Sequence, residues 1–241
     1  KLIYIFEINI IMVGGSLMRL TFYISIVIQF ITGIVTFGGI FYKLPKQDRV
    51  LKDILGLETI VQLVEGLFYM YIISSLRYMR SNDITKRRYL DWVITTPMML
   101  LSTIIYMEYE NNKLTNKIVN TKEFINNNRK NITNMFLFNT LMLVSGFLGE
   151  TGIMLKSMTI PIGFVFLFLA FNIMYKNYVG KADINKRIFM LMIIIWSMYG
   201  IAAMFPTILK NISYNILDII SKNFYGLYLF AKVRDIATRT T

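Results

Sequence analysis

Among the ionisable residues that interrupt otherwise apolar stretches of this sequence, five matter: Glu58, Glu65, Asp91, Asp218 and Lys222. Charges inside apolar segments are costly, and each one marks a functional site by default. Lys222 follows Asp218 by four residues, so on a helix the two share a face. Two chemistries fit that spacing: a structural ion pair, or a desolvated amine that condenses with an aldehyde, the nearby carboxylates stabilising the protonated imine. Arg88, Asp91 and Thr95 fall at i, i+3 and i+7 and share another face. Glu58 and Glu65 are seven residues apart, about 10 Å along a helix, with Gln62 between them on the same side. They either tie neighbouring helices together or line a path that favours cations over anions. The chain has no Cys and no His, which removes the usual zinc and copper ligands and excludes catalysis through either side chain. No catalytic residue, enzymatic activity or fixed metal site is expected; carboxylates could bind calcium transiently.

Residues placed this way need elements that cross a bilayer. Of 241 residues 17% are charged and 55% hydrophobic, against about a quarter charged in soluble domains, and the mean hydropathy is +0.53. The net charge of +12 could suggest nucleic acid, but basic loops flanking membrane helices give the same sum, and no nucleic-acid partner is expected. Seven apolar runs read as spans: 17–41, 51–76, 89–106, 135–148, 160–175, 188–205 and 211–230. The fold class is therefore an all-α membrane protein, one seven-helix domain over 1–241, with the lipid bilayer as its partner. Residues 1–16 could lie on the membrane surface and lack a cleavage-site pattern. With the N-terminus outside and the C-terminus cytoplasmic, sixteen of the 26 basic residues fall on the cytoplasmic side, as the positive-inside rule requires.

The stretch that opens the third run, with the residue before it, reads Arg88-Tyr89-Leu90-Asp91-Trp92-Val93-Ile94-Thr95-Thr96-Pro97, and the seventh carries the Asp218/Lys222 pair. Together they resemble the microbial (type 1) rhodopsins, over helices three to seven. The resemblance implies all-trans retinal bound covalently to Lys222 as a Schiff base, with Asp91 and Asp218 as counter-ions. It also implies Thr95 as the hydrogen-bond partner of Asp91 and Arg88 as guard of the outer half-channel. Trp196-Ser197-Met198-Tyr199 resembles the segment that packs on retinal, and Met142 to Gly146 the floor against its ring. Trp92, Thr96, Met142, Gly146, Trp196 and Tyr199 would form the walls, since such a slot is mostly apolar with few placed polar groups. Gly200 and Ala203 stand where many pumps have Pro and Trp, which suggests a roomier pocket on that side.

An outward proton pump of this family needs a carboxylic donor where Ser102 stands, and serine cannot hold and deliver a proton at neutral pH. The sodium-pump and chloride-pump triplets are absent too. The set Ser25, Glu58, Glu65, Lys210, Asp218 and Asn223 is similar to the polar constellation of the group 1 viral rhodopsins of large DNA viruses. That resemblance implies a light-gated channel for monovalent cations, inhibited by calcium, in a host cell membrane. In it, isomerisation of retinal to 13-cis moves a proton to a counter-ion, Arg88 and Lys210 rearrange, and water connects the outer half to the Glu58/Glu65 face. A weak outward proton pump and a photosensor remain as alternatives, and assembly into homo-oligomers stays open.

Overall fold

The computed structural model describes residues 2–76, 78–115 and 117–240, and their side chains apart from those of residues 2–13 and 240. These residues form helices α1 (Leu2–Gly39), α2 (Val50–Ser75), α3 (Ser81–Lys113), α4 (Thr121–Asn127), α5 (Arg129–Thr151), α6 (Lys156–Met174), α7 (Asp183–Ala202), α8 (Thr207–Asp218) and α9 (Phe224–Thr240). A 3-10 turn spans Lys46–Asp48, and π-helical turns span Tyr175–Val179 and Ile219–Asn223. The second π-turn joins α8 to α9 in one helical run. No strand occurs among the described residues.

Among the described residues six stretches are long and apolar enough to cross a membrane: Gly14–Gly39, Lys46–Ser75, Ser81–Lys113, Arg129–Thr151, Lys156–Val179 and Asp183–Ala202. The run through α8 and α9 is not among them, because its inner face carries Lys210, Asn211, Asn215, Asp218, Lys222 and Asn223. The helices are inside out relative to soluble ones. On α1, Leu20, Val27, Ile31 and Ile34 are exposed while Ser25, Gln29, Thr32 and Thr36 are buried. Helices that face hydrocarbon must turn polar groups inward, since lipid offers them no partner. The chain is an integral, multi-pass membrane protein.

Most helices outrun the apolar stretches that announce them. The short run at 135–148 lies within Arg129–Thr151, and 89–106 within Ser81–Lys113, because a helix continues past the hydrocarbon wherever its flanks can form one. Upstream, α1 runs unbroken from Leu2, so the boundary drawn at 16/17 is no break in the helix; Lys1 and the side chains of 2–13 lie outside the described residues. The stretch between the runs ending at 106 and starting at 135 contains the end of α3 and all of α4, whose N-cap Asn120 accepts the backbone N–H of Lys122 and Glu123 at 3.0 and 3.1 Å. Downstream, α7 stops at Ala202 rather than 205, and Pro206 caps the next helix.

The most enclosed helix is α3, with 67% of its apolar window buried, against 22% for α7. It contacts α2, α5, α7 and α8, so its side chains reach the interior from one end of the bundle to the other. At one end the chain turns at 76–81, 151–156 and 203–207. At the other, which holds the C-terminus, it turns at 40–50, 113–129 and 179–183. Gly152, with φ of +77°, closes α5 in the left-handed conformation that favours glycine.

Candidate functional site

Lys222 sits in the π-turn between α8 and α9, 1% exposed. Its Nζ donates to Asp91 Oδ2 at 2.9 Å, and lies 3.4 Å from Asp218 Oδ1 and 3.2 Å from Glu65 Oε1. The i,i+4 pair expected from spacing is therefore present, but within a cluster of three carboxylates drawn from α2, α3 and α8. Glu65 was expected beside Glu58 on a cation path. The two do share the buried face of α2, yet seven residues of helix separate them into two levels. Glu58 accepts a short hydrogen bond from the Ser102 hydroxyl, whereas Glu65 stands at the lysine. Among the described residues Asp91 Oδ1 and Glu65 Oε2 make no hydrogen bond, and Glu65 Oε1 has only its ion pair with Lys222.

Arg88, fully buried, faces Asp218 rather than Asp91. Its Nη1 is 3.0 Å from Asp218 Oδ2, while Nε donates to Asn211 Oδ1 at 3.3 Å and Nη2 bonds closely to Asn215 Oδ1. The rings of Phe22, Tyr69 and Tyr214 surround the guanidinium at 5.2 to 5.7 Å. The Tyr69 and Tyr199 hydroxyls donate to Asp218 at 2.9 and 2.8 Å. Asp218 thus joins the two cations, and Tyr199 is both a wall of the pocket and a clamp on that carboxylate. Thr95 departs from expectation: its hydroxyl donates to the backbone carbonyl of Asp91 at 3.0 Å, not to the carboxylate. Thr96 does the same to Trp92 at 2.6 Å, and receives a bond from Asn139 at 2.8 Å. A threonine on a helix has the carbonyl four residues back within reach, whichever neighbour would suit function.

A slot lined by apolar side chains opens from Lys222 between α3, α5, α6 and α7. Trp92, Thr96, Met142, Gly146, Trp196 and Tyr199 all line it. Trp92 packs edge-on against Tyr199 and Tyr214, with centroids 5.5 and 5.0 Å apart, and Trp196 packs against Phe171 at 5.5 Å. A Cβ on Gly146 would stand 2.6 Å from the Tyr89 hydroxyl, so glycine lets Tyr89 close that wall. The room expected at Gly200 is occupied. A Cβ there would lie 2.6 Å from the Phe164 ring, which fills the space that the absent side chain leaves.

Ser25 donates weakly to the Asn215 carbonyl at 3.5 Å. Asn223 and Gln29 exchange two amide hydrogen bonds of 2.9 Å, and Asn223 also donates to Thr32. Thr36 donates to Gln62 at 3.3 Å. Lys210 stands apart from this seam: both Glu150 oxygens accept from it at 2.9 Å, on α5, with Lys156 also 2.8 Å from Glu150.

Residues 16–236 match the family of bacteriorhodopsin-like proteins. The chain belongs to that family. Its members are retinal-binding rhodopsins, so the bacteriorhodopsin-like fold implies retinal bound to a lysine. No curated protein sequence matches the chain. Among solved structures, the chain is similar to viral rhodopsin OLPVRII, with 28% identity and a TM-score of 0.81 over 91% of this chain and 99% of that one. It also resembles Exiguobacterium sibiricum rhodopsin (17% identity, TM-score 0.72, 93% and 98% covered) and halorhodopsin from Halobacterium salinarum (17%, 0.67, 93% and 95%), likenesses of fold.

Within this bacteriorhodopsin-like bundle, the sequence reasoning missed Tyr69, Asn211 and Asn215 around Arg88, and Gln29, Thr32 and Thr36 on α1. A signal existed for the last three: with Ser25 they fall at i, i+4, i+7 and i+11, a polar stripe on one face of an otherwise apolar helix. Tyr69, four residues beyond Glu65, continues the α2 stripe in the same way.

Proposed function

We propose that this chain is a light-gated cation channel, a seven-helix bundle in which the α8 to α9 run is the seventh span, with the N-terminus outside and the C-terminus cytoplasmic. Its chromophore is all-trans retinal held on Lys222. The residues fit that group: an apolar slot leads to a single buried amine, and Asp91 Oδ1 beside it has no donor of its own. When bound, retinal supplies absorption of visible light and a change of shape at the lysine nitrogen. The chain's own residues do the rest. Asp91 and Asp218 face the positive charge at Lys222 and are placed to accept its proton, and Tyr69 and Tyr199 hold Asp218 in position. Two cations, Arg88 and Lys222, face three carboxylates, so the cluster balances when one carboxyl holds a proton.

One observation carries the channel reading. Ser25, Gln29, Thr32 and Thr36 of α1, Glu58, Gln62 and Glu65 of α2, and Asn223 are all 2% exposed or less, and the Thr36–Gln62 and Gln29–Asn223 hydrogen bonds join the α1 stripe to the other two elements. Among the described residues Glu58 Oε2 and Gln62 Nε2, both buried, have no hydrogen-bond partner. Buried polar atoms are normally paired, and acidic and amide oxygens lining a seam suit hydrated cations. A second observation favours the pump alternative: the Ser102 hydroxyl bonds Glu58, so a carboxyl from α2 reaches the level where the family donor would project from α3. Photocurrent measured against voltage in defined sodium and proton gradients separates the two. A current that reverses near an ionic equilibrium potential supports the channel. One that stays outward at every voltage, and is lost in Glu58→Gln, refutes the channel and favours the pump. Lys222→Ala abolishes visible absorption; survival of the colour refutes the retinal assignment.

A further inference from the structure

The polar groups on α3 do not end at Ser102. Arg88, Asp91, Thr95, Ser102, Tyr106 and Glu110 follow one another at steps of three, four or seven residues, so they form one buried face. From Arg88 to Glu110 this face spans about 33 Å, the thickness of a bilayer core. Its last members meet Lys232, ten residues beyond Lys222. The Lys232 ammonium makes a short ion pair with Glu110 Oε1 and donates to the Tyr106 hydroxyl at 2.6 Å. It lies 4.8 Å over the Tyr106 ring and 5.6 Å over that of Tyr109. The Tyr106 and Tyr228 hydroxyls share a hydrogen bond of 2.7 Å. The Lys232 and Glu110 side chains are 19% and 11% exposed, whereas the Arg239–Asp235 pair farther along α9 is 75% and 54% exposed.

We propose that the Lys232–Glu110 ion pair, braced by Tyr106 and Tyr228, is the gate that closes the polar column at its C-terminal end. The proposal rests on the channel reading above. An ammonium in the exit excludes cations twice, by filling the passage and by repelling their charge. Once it leaves, Glu110 offers a passing cation a carboxylate in its place. The link to light is mechanical: Lys232 and Lys222 sit on one continuous helical run, with the π-turn at 219–223 at its head. A π-turn is a place where a helix shifts register, and the helix from Phe224 onward carries such a shift to Lys232 as a rigid element.

The native chain has no cysteine, so Ser102→Cys gives a single probe inside the column, behind the pair. In membranes holding the full chain with retinal, a cationic methanethiosulfonate reagent is applied from the C-terminal side, and its rate of attachment is read in darkness and in light. Light should raise the rate at least tenfold. In Lys232→Met/Glu110→Gln, which removes both charges together, the dark rate should rise to the light rate. Visible absorption reports folding. Should that variant lose its colour, Tyr228→Phe, which removes one hydroxyl, should still raise the dark rate several-fold. Photocurrent of the parent is recorded in the same membranes. A passive parent current with dark rates unchanged within twofold in the coloured variants overturns the gate and leaves the channel standing. Absence of any passive parent current overturns the channel, and the gate with it.

Discussion

Replacing Arg88 by Gln tests the idea that one buried guanidinium organises the Lys222 end of the column. The side chain is fully enclosed, pairs with Asp218 at 3.0 Å, bonds Asn211 and Asn215, and is ringed by three aromatics. Breaking a buried ion pair from one side costs about 3–5 kcal/mol when the survivor is left alone. Asp218 would not be alone, since it keeps two tyrosine hydroxyls and Lys222 at 3.4 Å, which lowers the charge contribution to about 2–3 kcal/mol. Loss of the desolvated cation–π contacts adds about 1–2 kcal/mol. The total, about 3–5 kcal/mol, corresponds to a drop of about 6–20 °C in the midpoint of thermal bleaching for a chain of this size. Arg88→Gln/Asp218→Asn removes both charges and should recover at least about 2 kcal/mol relative to the sum of the single changes. The assay is loss of the visible band on heating in detergent, each variant followed at its own maximum. A midpoint for Arg88→Gln within about 2 °C of the parent, or a strictly additive double variant, would refute the reasoning.

Gly180 has φ of +59° and ψ of −143°, and a Cβ there would strike the Asn111 side chain. Gly180→Ala should cost about 2 kcal/mol or more, read as an earlier bleaching midpoint, through backbone strain and loss of the Asn111 bond to Tyr178 at 2.8 Å. Gly200→Leu forces the Phe164 ring into the slot and should lower the yield of coloured protein on adding retinal, while Gly56→Ala, where a Cβ meets nothing within 4 Å, leaves it unchanged. Gln29→Leu breaks the paired amide bonds to Asn223 and leaves that amide short of partners, so photocurrent should fall severalfold at equal pigment; an unchanged current-to-pigment ratio removes Gln29 from the path.

The fold was legible because hydrocarbon imposes a single rule that single residues obey. Apolar runs at 17–41 or 160–175 have one physical meaning, so helix and depth follow from them together. Their ends were not legible in the same way: Arg129–Thr133 has one apolar residue, Ile132, among four polar ones, too few to announce the start of α5, which forms because the flank has no reason to break. The Asp218/Lys222 pair was readable from spacing along one helix, where geometry is local, whereas retinal on that lysine was implied by the resemblance alone.

What spacing along one helix does not contain is which neighbour a side chain meets, and Glu65 is the clearest case. Its place seven residues from Glu58 says that both look inward, but only the packing of α2 against α3 and the α8 to α9 run decides that one meets a lysine and the other a serine. The same holds for Lys210, whose sequence neighbours point to the column while its partner, Glu150, comes from α5. A charged side chain buried in a membrane goes wherever a counter-charge can be reached, because the penalty for standing alone exceeds any local preference. The partners of such residues are therefore a property of the whole bundle. It follows that Glu150→Gln alone, which strands Lys210, should lower the bleaching midpoint by about 6 °C or more, whereas Glu150→Gln/Lys210→Gln, which removes both buried charges, should lower it by less. Equal losses in the two variants would mean that position, rather than pairing, holds that end of the bundle together.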